Sequence, residues 1–503
     1  MADTDAASPP SPTPLPSDAS RGSGRDGHLV RSLAWVGGVR WGSQLVSWVS
    51  TMLVFRALAP SETGLVAMAT SFLGLVSLLN EFGISGVILY APKDLTRSQI
   101  GQINGLSLLI GFACYGLALA ASGPVAAYYR TPEVQLVVAI LGVNFVISSF
   151  QAVPLALLRR ELKFRSVAVN DAIQALVLAV VSVTLAYLGF GYWTLVIANL
   201  LGITIKSAAA VWRRPCPFEW PRLGEMRSMI HFGSHMTVSR LAWYTYSNSD
   251  FWVVGRALGT AASGAYGLAW TLATMPVEKI SSVVMSVAPA FLSSLNRNVV
   301  ETRRLLLLII EGTAILAMPA TVGLAAVADV FVPHILGDKW AAAVFPLQVL
   351  AIYTTFRTIT ALLPPVMFSW GMAHEAMQTS VLAALVMPAA FIVGVNWGLA
   401  GVAVAWAVVY PLVSIPVYRI VMRTLEIKLP MLLGAVAPAL GFTAVMLAAV
   451  VAVRFALADH GSPAVMLVTQ IAAGLLTYAI CLRVAYWGRA MQIYSAFKRR
   501  DRK

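Results

Sequence analysis

The sequence predicts an all-α, polytopic membrane protein of about 14 transmembrane helices. They form two six-helix lobes related by a pseudo-twofold along the membrane normal, plus two peripheral helices. Three observations lead there: a charge-poor composition, apolar runs of helix-spanning length along nearly the whole chain, and a match of the chain to itself at an offset of 200 residues.

Of the 503 residues, 58% are hydrophobic and 12% charged, and the mean hydropathy is +0.76. A soluble domain carries about 25% charged residues, so this chain has half the charge needed to cover itself with water. The apolar runs match the ~20 residues that cross a ~30 Å hydrocarbon core as a helix. The net charge of +14 does not point to nucleic acid, because the basic residues sit in short connectors between apolar runs. There they read as topology signals.

The self-match pairs residues 40–70 with 240–270. It aligns Arg40 with Arg240, Ser47 with Ser247, Val54 with Val254, Arg56 with Arg256, Leu58 with Leu258, Gly64 with Gly264 and Ala69 with Ala269. Each copy is an apolar run closing on Arg-Ala-Leu, followed by a short turn and a second run. Six spans separate the copies, an even number, so the two lobes share one orientation in the membrane.

Lysine and arginine assign the sides. With the N-terminus inside, 26 of them fall in inside connectors and tails and 5 (Arg56, Arg130, Arg256, Lys339 and Arg454) at the outside. This bias predicts that both termini are cytoplasmic. The resulting division is a disordered cytosolic tail over 1–30, an N-lobe over 31–212 and an inter-lobe linker over 213–229. A C-lobe over 230–422, two extra spans over 423–486 and a basic cytosolic tail over 487–503 complete it. Residues 1–30 are rich in Ser, Pro, Asp and Gly and do not resemble a cleavable signal.

No soluble-enzyme signature appears. There is no phosphate-cradling Gly-rich loop with lysine, and His374-Glu375 lacks the second histidine of a zinc helix, since Gln378 stands in its place. Cys114, Cys216 and Cys481 are scattered without metal or disulfide spacing. The sequence therefore predicts a non-enzyme with no cofactor, leaving coupling to H+ or Na+ open. The outside connector around 328–340 carries Asp329, His334 and Asp338 but is too short to fold as a domain.

Charges and polar runs at membrane depth are the candidate site, because each is costly in hydrocarbon unless it faces protein, water or substrate. Arg40 and Arg240 share a repeat position. They are read either as snorkelling to the headgroups or as a symmetric pair holding a phosphate by bidentate hydrogen bonds. Glu81 and Glu278-Lys279 lie at similar depth on the second and eighth spans, and Asp250 is placed to pair with Lys279. Residues 244–250 (YTYSNSD) interrupt an apolar span with consecutive polar groups, and with Trp243 and Trp252 nearby they would suit a sugar. The expected cavity residues are Arg40, Arg240, Glu81, Tyr244, Asn248, Asp250, Lys279 and Arg357. Asp171, Lys206, Glu311 and Arg357 read as weaker candidates, and for Asp171 and Glu311 pairing near the membrane interface is the simpler account.

Several stretches together resemble one family. They are RALAPSETGLVAMA (56–69), EFGISGVILYAPKDLT (81–96), PLALLRRELKFRSVA (154–168), GFGYWTLVIANL (189–200) and NSDFWVVGRALGTAASGAYGLAWTLATMP (248–276). Over about 30–495 the chain resembles the polysaccharide transporters of the multidrug/oligosaccharidyl-lipid/polysaccharide superfamily. Within it, the likeness is to Wzx-like oligosaccharide flippases, or lipopolysaccharide biosynthesis proteins. The resemblance implies a bacterial inner-membrane carrier that moves an isoprenoid-diphosphate-linked oligosaccharide to the outer leaflet by alternating access. Its implied partners are that substrate, membrane lipids and polysaccharide polymerase or export machinery, with no nucleic acid. One stretch departs from the family: SWGMAHEAM (369–377) has no basic residue after its glycine. Two other readings compete, a cation-coupled drug antiporter of the same superfamily and a membrane-bound glycan ligase or polymerase.

Overall fold

The computed structural model describes residues 22–80, 88, 95–222, 227–294, 298–457 and 462–488. Side chains at 22–37, 39–40, 227–240, 279 and 281–294 are outside that description. The described residues are helical, with no strand among them. Six helices form the first lobe: α1 (Gly22–Ala57), α2 (Pro60–Asn80), α3 (Arg97–Tyr129), α4 (Glu133–Arg160), α5 (Phe164–Tyr187) and α6 (Trp193–Arg213). They pack as a chain of neighbours: α1 on α5, α5 on α6, α6 on α4, α4 on α3, with α2 against α3 and α4. Ten stretches among the described residues are long and apolar enough to cross a membrane.

The second lobe begins with α7 (Arg227–Ser294), 68 residues long. At ~1.5 Å per residue a straight helix of that length would be about 100 Å, three times a hydrocarbon core. It is not straight. Gly259 adopts φ 82°, ψ −171°, a conformation that L side chains avoid, and the chain folds back there. Tyr266 Oη reaches the Asp250 carboxylate at 2.7 Å, although the two would lie ~24 Å apart along an unbroken helix. Where the sequence suggests two spans with a separate connector, the structure has one hairpin turning on one residue.

The remaining helices are α8 (Val299–Phe331), α9 (Val344–Thr360), α10 (Leu363–Ser369), α11 (Ala373–Gly394), α12 (Gly398–Thr424), α13 (Leu429–Leu457) and α14 (Pro463–Cys481). α7 packs against α8, α9, α11 and α12. The core of this lobe is aromatic and aliphatic, built around Trp340, Trp406, Tyr266 and Phe391, all buried. Helices α13 and α14 lie outside it, α13 on α8 and α14 on both. An ion pair between Arg454 and Asp329 at 2.5 Å holds α13 to the end of α8.

The lobes meet chiefly where α2 lies against α7, and the repeat itself makes the contact. A Cβ on Gly64 would sit 1.8 Å from the Thr260 carbonyl oxygen, and one on Gly264 would sit 1.8 Å from the Pro60 carbonyl oxygen. Only glycine lets the backbones approach so closely. Around this crossing, Trp340 Nε1 donates to the Phe55 carbonyl at 2.8 Å, Lys339 Nζ to the Arg56 carbonyl at 2.7 Å and Arg56 to the Ile335 carbonyl at 3.3 Å. The segment 328–340, which carries the outer-connector acids, thus forms a π-helical turn and a 3-10 turn that fasten the second lobe to the end of α1.

At the opposite end, the linker after α6 lies along α3. Gly101 and Gly105 give it room, with the Glu219 N–H donating to the Gly101 carbonyl at 3.1 Å. Asn104 donates to the Pro217 carbonyl at 3.0 Å, and Ser98 Oγ to the Glu219 carboxylate at 2.5 Å.

Candidate functional site: two cavities on opposite faces of one helix

The first half of α7 separates two cavities. Residues 244 and 248 lie four apart and share a helix face, whereas 246 is turned ~200° from 244. Tyr244 and Asn248 accordingly line one cavity and Tyr246 the other.

The first cavity, about 470 Å³, lies between the lobes. Its walls come from α1, α2, α4, α5, α6 and both halves of α7. Among the described residues Ser50, Thr51, Thr63, Thr70, Ser71, Ser182, Asn199 and Thr271 supply its polar surface with Tyr244 and Asn248, the rest of the lining is apolar, and no charged residue is among them. Tyr244 also bridges the lobes, donating its hydroxyl to the Ser71 carbonyl at 2.8 Å. Gly74 makes this approach possible, since a Cβ there would overlap the tyrosine oxygen at 2.0 Å. On the far wall Asn144 donates to Asn199 Oδ1 at 2.8 Å, orienting that amide.

The second cavity, about 1180 Å³, lies inside the second lobe between α7, α9, α10, α11 and α12. Two charged residues line it, Glu278 and Arg357, among the rings of Trp243, Tyr246, Trp270 and Tyr410. Arg357 holds its guanidinium carbon 5.4 Å from the Trp270 ring centroid, a cation–π arrangement. Among the described residues no carboxylate lies within ion-pair distance of it.

Asp250 lines neither cavity. It is fully buried, and its Oδ2 accepts from Tyr266 at 2.7 Å and from Trp406 Nε1 at 2.8 Å, while Oδ1 accepts from the Phe251 N–H at 2.9 Å. Neutral donors provide these hydrogen bonds, which tie the two arms of α7 to α12, and the expected partner Lys279 has its side chain outside the described residues. Trp406 comes within reach of sequence reasoning only through the packing of α12 on α7, and Tyr266 only once Gly259 is seen as a fold-back, which returns it to the level of Asp250. Trp270, which backs Arg357, was missed for the same reason.

Of the other expected residues, Glu81 lies outside the described residues, as do the side chains of Arg40, Arg240 and Lys279. Asp171 pairs with Lys206 at 2.9 Å, joining α5 to α6. Glu311 is buried on α8 and accepts from the Tyr486 hydroxyl at 3.0 Å. Both therefore act as fastenings between helices.

Comparison with known proteins agrees with this architecture. The family described as polysaccharide biosynthesis protein matches residues 53–346. The teichuronic acid biosynthesis protein TuaB of Bacillus subtilis is 26% identical over 424 residues, covering 80% of this chain and 84% of that one. The succinoglycan biosynthesis transport protein ExoT of Rhizobium meliloti is 24% identical over 451 residues, covering 89% and 90%. Among solved structures, the lipid II flippase MurJ in an inward closed conformation superposes with a TM-score of 0.73 at 14% identity, over 90% of this chain and 99% of that one. An inward-facing multidrug resistance transporter of the MATE family gives 0.57 at 16% identity, over 76% and 96%.

Proposed function

From the premise that this chain belongs to the polysaccharide biosynthesis protein family, we propose that it is a flippase. It carries an isoprenoid-diphosphate-linked oligosaccharide from the inner to the outer leaflet by alternating access. The observation that carries this reading is a cavity with hydroxyl and amide groups on an otherwise apolar wall, set between two lobes that are clamped together at one end by the Gly64–Gly264 crossing. Such a substrate has a polar head that hydrocarbon excludes and a tail that need not leave it. A cleft between lobes meets both requirements. TuaB, ExoT and MurJ carry names that point the same way.

With the lysine and arginine bias setting the sides, the clamped end is the outer one, so this conformation is closed outward and both termini are cytoplasmic in a bacterial inner membrane. Arg40 and Arg240 are the proposed phosphate holders, since guanidinium groups fork onto phosphate oxygens. An inside-negative potential assists outward movement of an unneutralised diphosphate by about 2.3 kcal/mol per charge per 100 mV. Coupling to protons or sodium through Glu81 or Asp250 is a further part of this proposal, motivated by acids at membrane depth. Polymerase or export machinery would receive the product.

We read the chain as a carrier without catalysis of its own. Supporting this, Asp329 of the outer connector is held by Arg454 and Trp340 is buried as packing. The test is reconstitution with a fluorescent lipid-diphosphate oligosaccharide and an impermeant quencher, with and without ion gradients. Protein-dependent exposure of inner-leaflet substrate is expected, and exposure no faster than in empty vesicles refutes the reading. Glu81→Gln and Asp250→Asn proteins that flip with unchanged pH and sodium dependence would remove the coupling part.

A further inference from the structure

We propose that the cavity within the second lobe is a binding site for an acidic sugar of the glycan, with Arg357 forking its carboxylate. The proposal deepens the carrier reading and rests on it for the identity of the ligand as a glycan. It is argued from what the cavity wall donates and accepts.

Four hydroxyls on the wall are already committed as donors. Thr358 Oγ1 donates to the Thr354 carbonyl at 2.7 Å, Thr274 to the Trp270 carbonyl at 3.0 Å, Ser380 to the Ala376 carbonyl at 2.9 Å and Ser414 to the Tyr410 carbonyl at 2.8 Å. A hydroxyl has one proton and two lone pairs, so each offers a ligand acceptor sites only. Such a wall suits a ligand rich in O–H donors, as a sugar is. It does not suit phosphate, whose oxygens only accept.

Against this wall Arg357 is the one described cation lining the cavity. Trp270 stacks beneath it at 5.4 Å and leaves its forked N–H edge for a planar partner. Glu278 lines the same cavity, so the described charges there sum to zero. A sugar carboxylate has one charge and the planar two-oxygen geometry that guanidinium prefers. The aromatic walls offer faces for the apolar side of sugar rings, and 1180 Å³ exceeds the ~300–1,000 Å³ that holds a drug-sized ligand. The cavity therefore has room for more than one ring.

The test uses the purified full chain in detergent and a disaccharide of glucose and glucuronic acid beside its carboxyl-reduced counterpart, with binding read by calorimetry. The wild type should bind the acidic disaccharide at least about tenfold more tightly than the neutral one, which corresponds to about 1.4 kcal/mol. Arg357→Gln should abolish the preference, and Arg357→Lys should keep part of it because the charge remains without the fork. Unchanged thermal unfolding of both variants separates binding from folding. Equal binding of the two disaccharides, no binding of either, or a preference that survives Arg357→Gln overturns the proposal. So does inorganic pyrophosphate binding in an Arg357-dependent way with no sugar preference, which would make this a phosphate site. The assay has no leaflets. A preference that persists in a chain unable to flip substrate therefore refutes the carrier reading alone, and flipping without any preference refutes this site alone.

Discussion

The two cavities share the first half of α7 as a wall yet differ in chemistry. The inter-lobe cavity sets hydroxyl and amide groups from four helices of the first lobe and α7 in an apolar wall, with no charge among the described residues. The second-lobe cavity is over twice as large, belongs to one lobe and sets an arginine and a glutamate among aromatic rings. The difference teaches that a duplicated fold need not duplicate its polar surface. The repeat conserves small and apolar positions such as Val54/Val254 and Gly64/Gly264, which serve packing. The charges at Asp250 and Arg357 belong to the second lobe's own sequence.

The change expected to have the largest effect is a side chain at the crossing that bounds the inter-lobe cavity. Gly64→Leu or Gly264→Leu drives a Cβ into a backbone carbonyl that cannot rotate away. The loss should exceed the ~3 kcal/mol usual for overpacking, seen as a lowered unfolding temperature in detergent and as increased labelling of a cysteine placed at residue 63. Normal stability and protection would show that the lobes do not depend on this contact.

The next largest effect should come from the partition between the cavities. Asp250→Ala leaves the buried Tyr266 hydroxyl without an acceptor, at about 1–3 kcal/mol, and Trp406 Nε1 with the Tyr266 oxygen alone at 3.1 Å. Asp250→Asn keeps an acceptor oxygen and should cost about 1 kcal/mol. Equal destabilisation by the two substitutions would argue that the charge itself, rather than acceptance of hydrogen bonds, is what the core requires.

Asn199→Ala and Asn248→Ala sharpen the comparison from the neutral side. Each removes hydrogen-bonding capacity from the inter-lobe cavity alone, where one bond is worth about 0.5–1.5 kcal/mol. Flipping should slow about two- to tenfold, with the acidic-sugar preference of the second cavity intact. A lost preference would mean that the two cavities do not act independently.

The smallest effect lies away from both. Glu161, in the connector between α4 and α5, is held below the usual carboxylate range mainly by its hydrogen bond with Lys163 and further by Arg214, at 2.8 Å each. A depressed folded-state value means the stabilisation is complete above the unfolded value of about 4.3 and is lost as pH falls through the folded one. Glu161→Gln should flatten stability on that acid limb and leave pH 5–8 unchanged. A change near neutrality would contradict the assignment.

The fold was largely legible because membrane insertion writes itself in long apolar runs and basic connectors, and the 200-residue offset exposed the lobes. The site was legible only in part. The run 244–250 announced that its side chains avoid lipid, and Tyr244, Asn248 and Tyr246 do line cavities. Which face each took depends on the helix's rotation against its neighbours, and a polar run does not encode that. Asp250 suggested an ion pair because lysine is the familiar partner of a buried carboxylate. Of its described donors, Tyr266 reaches it through the reversal at Gly259 and Trp406 from α12, and no local pattern marks either. The hydroxyl-rich stretch of α9 around Arg357 was a usable signal, since Thr354 and Thr358 recur at helical spacing.

The glycine crossing carries one more consequence. Residue 260 is residue 60 displaced by the repeat, so Gly64 meets Thr260 as Gly264 meets Pro60. A contact in which i touches j′ while j touches i′ is the signature of an isologous homodimer. Here it survives inside one polypeptide. The crossing thus carries a local twofold relation within one chain. Asp250 and Arg357 break that symmetry: a symmetric dimer cannot hold an acid or an arginine on one side only, whereas a single chain can.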